Sequence, residues 1–273
     1  MKNDSHVTWE DAVLWLRDQP EQAGLVRDCF YDDPLRESAE RYCQSSEWRA
    51  VRQILAQVKT GTALDLGAGR GISSYALARD GWKVTALEPD GSVIVGAGAI
   101  RMLAEEAKLD ITVFENPGER LPSSDKSFDL VYARQVLHHA NDLRALCKEV
   151  YRVLKPQGLF VATREHVISK KEDLQKFLDT HPLHRLYGGE HAYLLTEYID
   201  AIVHAGIEMK HILNPLQSNI NLFPDTRETF KARLAATVKW PWPQLIPNAL
   251  LTLMGRLIRT PGRLYSFIGR KPA

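Results

Sequence analysis

Apolar and polar positions follow two rhythms along this chain, and the change falls near residue 60. Over residues 8–58 apolar side chains recur at helical spacing: Ala12, Leu14, Trp15 and Leu16 supply one face, then Trp48, Val51, Ile54 and Leu55 another. Thr8 with Asp11 predicts a capping box, Pro20 ends that helix, and a short second helix is expected at 22–30. A third starts at Pro34 with Asp33 as its cap, and Ser45 or Ser46 caps a fourth over 47–58. From residue 62 short apolar runs alternate with helical ones, the pattern of a parallel sheet. Strands are predicted at 63–66, 83–87, 111–114, 128–132, 158–163 and 209–213, with 220–223 a candidate seventh. Helices are expected at 72–80, 91–107, 141–153, 171–179 and 196–205.

Composition changes this picture little, and charge changes it more. A length of 273 residues with 44% hydrophobic and 25% charged positions suits one large α/β domain with additions. Cys29, Cys43 and Cys147 form no paired motif, which predicts reduced thiols and a cytoplasmic setting. The opening MKNDSHVTWEDA lacks the apolar core of a secretion signal, and no run is long enough to span a bilayer. The net charge of +1 hides an asymmetry: of 35 basic residues eight lie after Glu228, leaving 27 in residues 1–228 against all 34 acidic ones. An acidic body repels phosphates, so no nucleic-acid partner is expected. In the basic tail Pro247 starts a helix and Pro261 stops it, with Leu250, Leu253, Met254, Leu257 and Ile258 in a stripe. That stripe either completes the core or lies on an anionic membrane surface at the cytoplasmic face, through residues 245–273.

The candidate chemistry begins in ALDLGAGRGISSYALA, residues 63–78. Asp65 closes a strand, Gly67, Gly69 and Gly71 follow at alternate positions, and a helix begins at once. Such a turn lets a ligand lie against bare backbone at a helix N-terminus. Ile72 stands where a dinucleotide fingerprint places a small residue. At the end of the second strand Glu88 lies 21 residues beyond Gly67, placed to accept hydrogen bonds from both hydroxyls of a ribose. After the third strand comes NPGERLP, and the fourth opens SFDLVYARQVLHHANDLRALCKEVYRVLKPQGLFV.

These four blocks together resemble the class I S-adenosylmethionine (SAM) methyltransferases, in particular the ubiquinone-biosynthesis-like (methyltransferase type 11) group. The resemblance covers about residues 60–165. Pro117 and Gln157 depart from the family pattern, at the adenine and in the turn before strand five. It implies a Rossmann-like, doubly wound, seven-stranded, mostly parallel sheet with an N-terminal helical layer and a C-terminal helical extension. Together with the helical prelude and the basic tail, whose own residues carry no such resemblance, three parts are expected: a helical lid over 1–60, in which Tyr31 or Tyr42 meets ligand; a SAM-binding domain over 61–224; and a basic amphipathic extension over 225–273. SAM is the expected cofactor, held by Asp65, Gly67, Ala68, Gly69, Gly71, Glu88, Pro89, Gly118, Glu119 and Arg134.

The expected reaction is methyl transfer to an oxygen of a small-molecule, glycan or lipid-linked acceptor. A hydroxyl acceptor must lose a proton, and His139 and Glu165-His166 follow adjacent strand ends, so these three are the candidate catalytic residues. The segment 181–193, HPLHRLYGGEHAY, is expected to form an acceptor loop presenting Tyr187, Tyr193 and Arg185. Glu165-His166, His181 with His184, and Glu190-His191 offer nitrogen and oxygen ligands, but no spacing fixes a geometry and no metal is expected. A nucleotide-dependent oxidoreductase and a non-catalytic SAM-fold binding protein are the alternatives.

Overall fold

The computed structural model describes residues 7–181 and 183–273. Its strands are β1 (Thr62–Leu66), β2 (Lys83–Leu87), β3 (Ile111–Phe114), β4 (Phe128–Arg134), β5 (Leu154–Ile168), β6 (Tyr193–Leu194), β7 (Glu208–Leu213) and β8 (Arg263–Arg270). Seven of them lie in the order β3-β2-β1-β4-β5-β8-β7, and β6 adds a short parallel pairing to the far end of β5. All neighbours from β3 to β5 are parallel, whereas β8 runs antiparallel to both β5 and β7.

Helices cover both faces, and the strands show why. Successive side chains of a strand point to opposite faces. Leu64, Leu66, Val131, Ala133, Phe160 and Ala162 join one core, with residues of α7 (Leu143–Val153) and α10 (Leu195–His204). Ala63, Leu130, Tyr132, Leu159 and Val161 join the other, with residues of α3 (Leu35–Gln44), α4 (Ser46–Leu55) and α5 (Ile72–Arg79). Both faces are apolar because both are buried, as parallel sheets require.

Two of the N-terminal helices are capped as the sequence predicts, but Asp33 does not cap α3, whose N-cap is Pro34 with no side-chain cap. Thr8 caps α1 (Trp9–Arg17) in a full capping box with Asp11, and the Ser45 hydroxyl accepts from Trp48 N–H at the start of α4. The helix α2 (Ala23–Asp28) follows the turn at Pro20. Beyond β2 the expected helix starts late: α6 spans Ala97–Ala107, and residues 91–96 form a loop.

Two expectations need correction. Residues 220–223 are not a strand; they lie in and just after a short helix, α11 (Asn219–Leu222), following the α8 (Asp173–Thr180) and α9 (His184–Tyr187) insert. The segment 225–273 is not an extension appended to a finished domain. After α12 (Arg227–Thr237) and α13 (Asn248–Leu257), its last strand, β8, enters the sheet between β5 and β7. Phe267 and Ile268 are buried one on each face, and Lys271 donates to the carbonyls of Tyr151 and Leu154. An interior strand supplies backbone groups to two neighbours at once, so the sheet is incomplete without it.

Of the stripe predicted for α13, Leu250, Leu253 and Leu257 face solvent, while Met254 and Ile258 are half-buried. Leu251 and Gly255 are the buried positions of the helix, whereas Leu253 and Leu257 are 55% and 68% exposed. Val238, Trp240, Trp242, Leu245 and Leu250 are exposed on the approach to and first turn of this helix. Among the described residues no helix is long and apolar enough to cross a membrane.

Candidate cofactor and acceptor site

Ligands of open α/β sheets bind outside the carboxyl ends of the strands. There a cavity of about 660 Å³ opens beyond β1, β2, β4 and β5. Its floor at one end is the turn after β1. Gly67 and Gly69 take left-handed backbone angles, φ +62° and +54°, that other residues adopt at a cost. A Cβ at Gly67 would come within 2.7 Å of the Val136 side chain, whereas one at Gly69 would meet no protein atom within 4 Å. Gly69 therefore faces open ligand space.

Glu88 curls back under this turn. Its carboxylate accepts from Gly69 N–H at 2.7 Å and from Asp90 N–H at 3.0 Å, and burial raises its pKa. Asp65 lies beneath the same turn, where one carboxylate oxygen accepts from the Ser73 and Ser74 hydroxyls. Its Oδ1 is buried and has no partner among the described residues, and burial pushes its carboxyl up to about 6. A lone buried acceptor of this kind calls for a donor from water or a bound ligand.

Of the predicted cofactor residues, Gly67, Ala68, Gly69, Glu88, Pro89, Gly118, Glu119 and Arg134 line the cavity. Asp65 and Gly71 do not; Gly71 is the residue before α5 and packs against Ile100. Glu119 accepts from Asn141 N–H, which ties the loop after β3 to the loop after β4. The Arg134 guanidinium is held by both oxygens of the buried Glu47, at 2.7 and 3.0 Å. Arg70, which the sequence did not single out, is buried and donates to the Phe30 and Asp32 carbonyls. It fastens the N-terminal helices over the turn, and its place in the glycine motif carries no sequence signal.

The opposite end of the cavity is lined by imidazoles. Two local features aim them. After β4 the chain turns through Gln135, and a single 3-10 turn, Leu137–His139, sets His138 and His139 side by side with rings 4.2 Å apart. In β5 the pairing with β8 slips between Ala162 and Glu165, at Arg164 with φ +61°. Such a bulge bends a strand and re-aims the residues beyond it. His166 then lies 4.7 Å from the His138 ring, with His181 at 5.5 Å from His166.

Glu165 does not line the cavity: it is fully buried and accepts from Val136 N–H, His138 N–H and His138 Nδ1 at 2.7–3.1 Å. Burial alone would lower the His138 pKa, but Glu165 and the nearby Glu190 outweigh it and raise it to about 9. His139 is about two-fifths exposed, and its Nδ1–H donates to the Gly189 carbonyl at 3.1 Å. His166 donates from Nδ1 to the Gly262 carbonyl at 2.8 Å, and burial with its neighbour His138 pushes it down to about 3. Both rings thus keep an unprotonated Nε2.

The expected acceptor loop divides. Tyr187 and Glu190 line the cavity with His181, whereas Tyr193 bonds the Ala140 carbonyl and Arg185 is exposed outside it. Trp9 of α1 packs on both Tyr31 and Tyr187, with ring centroids 5.5 and 4.8 Å away, so α1, α2 and α9 meet across the rim. Tyr31 lines the cavity, but Tyr42 is buried elsewhere, against Tyr132.

A glycine turn after the first strand, a carboxylate after the second and the 3-2-1-4-5 parallel order define a Rossmann-like nucleoside-binding domain. The particular kind follows from comparison with known proteins: residues 64–162 match the family model of the methyltransferase domain. Residues 64–162 thus form a methyltransferase domain of the class I SAM-dependent kind, whose cofactor is SAM. Over 105 residues it is 38% identical to a dimethylglycine N-methyltransferase of Parasynechococcus marenigrum (strain WH8102), covering 38% of this chain and 37% of that one. Over 101 residues it is 35% identical to a ubiquinone biosynthesis O-methyltransferase of Methylobacterium sp. (strain 4-46), covering 37% and 39%. The chain thus spans less than two-fifths of the length of either relative. Geranyl diphosphate C-methyltransferase from Streptomyces coelicolor A3(2), solved with Mg2+, geranyl diphosphate and S-adenosyl-L-homocysteine, shares the fold. Its TM-score is 0.60 at 16% identity, over 89% of this chain and 87% of that one.

Proposed function

We propose that this chain methylates an oxygen of a small-molecule, glycan or lipid-linked acceptor. The observation that carries this reading is a single cavity with the glycine turn and Glu88 at one end and His139 and His166 at the other. Bound SAM supplies a methyl group on a positively charged sulfur. The backbone at Gly67, Ala68 and Gly69 and the Glu88 carboxylate hold the cofactor, and Gly118 and Glu119 border its base. The unpartnered Oδ1 of Asp65 and the open space over Gly69 fit a ligand that carries an ammonium group and lies against backbone. Displacement needs donor and acceptor aligned, and the wall formed by α1, α2 and α9 supplies that alignment. His139 takes the acceptor proton on its free Nε2, with Gly189 fixing its tautomer. His166, held near 3, is too weak a base to take this proton. Glu165 is a positioning residue that acts through His138.

The test is to incubate the chain with methyl-labelled SAM and a cell extract, then separate lipid, glycan, small-molecule, nucleic-acid and protein fractions. Label in one of the first three supports the reading. Label confined to nucleic acid or protein refutes it.

A second reading concerns where the acceptor lies. Exposed Val238, Trp240, Trp242, Leu245, Leu253 and Leu257 form an apolar crest, with Lys239, Arg256 and Arg259 beside it and no acidic residue after Glu228. A crest of this composition suits the surface of an anionic membrane at the cytoplasmic face. Deleting the segment would remove β8, so the variant to use is Leu253→Glu with Leu257→Glu. Wild type should sediment with anionic vesicles at low salt and the double variant should not. Wild type remaining in the supernatant refutes the membrane reading.

A further inference from the structure

Glu190 stands at the centre of the imidazole cluster, and its surroundings are unusual for a buried carboxylate. Only 5% of its side chain is exposed, yet its one hydrogen bond among the described residues is a long one from the Tyr187 hydroxyl, at 3.4 Å. Three imidazole nitrogens surround it just beyond hydrogen-bonding range: His138 Nε2 at 3.6 Å, His139 Nε2 at 3.9 Å and His181 Nδ1 at 4.0 Å. Side chains that sought only each other would close these gaps. Ligands around a metal ion do not close them, because bonds of about 2.1 Å at tetrahedral angles hold neighbouring donors about 3.4 Å apart.

We propose that His166, His181 and Glu190 bind a divalent first-row transition ion, of the zinc or iron(II) class, at the acceptor end of the cavity. One donor atom from each of the three lies within 4.8 Å of the others. His166 is already oriented as a ligand, since its Nδ1–H is committed to the Gly262 carbonyl, which fixes the ring and leaves the Nε2 lone pair free. A ligating histidine is almost always held through its other nitrogen in this way. Two buried carboxylates lie on either side of the His138 imidazole, Glu165 at 2.7 Å from its Nδ1 and Glu190 at 3.6 Å from its Nε2. His138 is already engaged by Glu165 at 2.7 Å and stands behind the site rather than in it. Two imidazoles and one carboxylate select a transition ion over Mg2+, which prefers oxygen ligands. Three protein ligands leave positions open toward the cavity, where an oxygen of the acceptor can bind. That last step rests on the methyltransferase reading, whereas ion binding does not.

The test uses Co2+ as a coloured probe with the full chain. Calorimetry should find one ion per chain with a visible ligand-field band, and Mg2+ at equal concentration should not displace it. His181→Ala and Glu190→Gln should each weaken Co2+ binding by at least about 10–100-fold. Both should bind SAM within roughly threefold of wild type, which shows that they are folded. His204→Ala, on the exposed end of α10, should change nothing. Absence of saturable Co2+ binding, equal displacement by Mg2+, or binding indifferent to both substitutions overturns the site. Wild type that binds Co2+ but not SAM keeps the ion site and overturns the methyltransferase reading instead.

Discussion

At the turn after β1 the cavity wall is backbone. Gly67 and Gly69 present bare peptide units, and the one nearby carboxylate, Glu88, is pinned by two N–H groups. Across the same cavity, after β4 and β5, the wall is side chains. His138, His139, His166, His181 and Glu190 come from three separate stretches of chain. The first end is built by a local motif within 22 residues, Gly67 to Glu88. The second depends on a bulge in β5, a 3-10 turn and an insert between β5 and β6. Rotamers there are set by contacts remote in sequence, so this end is free to differ between enzymes with different acceptors.

If the two ends are as independent as this, substitutions should separate them. The largest effect is expected at Gly69→Val. Nothing in the protein meets a Cβ there, so the added side chain fills ligand space. Calorimetry should find SAM binding abolished, with a melting temperature lowered only by the left-handed backbone cost of about 1–2 kcal/mol. His139→Gln should lower kcat by about 10²–10⁴-fold with SAM affinity unchanged. A fall in both would mean that the two ends are coupled.

Glu88→Ala should weaken SAM binding by about 1.5–3 kcal/mol, the range for hydrogen bonds to a charged group, while kcat at saturating SAM stays near wild type. The smallest effect is a proton. With its carboxyl near 6 in the free protein, Asp65 is mostly protonated at pH 5 and ionised at pH 7. A cationic ligand favours the ionised form, so affinity should rise with pH through this range, by at most about tenfold per unit, and level off above it. Calorimetry in buffers of different ionisation heat should detect proton release near pH 6, and Asp65→Asn should abolish it.

The comparison also explains which residues are legible in the sequence. Gly67, Gly69 and Glu88 can be found there because a strand–turn–helix places them by short-range sterics alone. His139 stands out by its position after β4, and His166 is expected after β5 but lies within its last residues; nothing in the sequence joins Glu190 to them. Glu165 reads as catalytic because it neighbours His166, and alternation along β5 instead buries it under His138. The crest on α13 is visible as a stripe, yet periodicity gives an apolar face without saying what it faces.

By itself the sequence determined the alternation of strands and helices from β1 to β5 and the glycine turn with Glu88 at one end of the cavity. Each of these depends on interactions between residues close in the chain, or on burial patterns that repeat every two or 3.6 positions. Only the tertiary structure decided that residues 263–270 complete the sheet between β5 and β7. It alone brought His166, His181 and Glu190 together. Strand pairing and side-chain clusters are contacts between distant segments, and their partners are chosen by the packing of the whole chain.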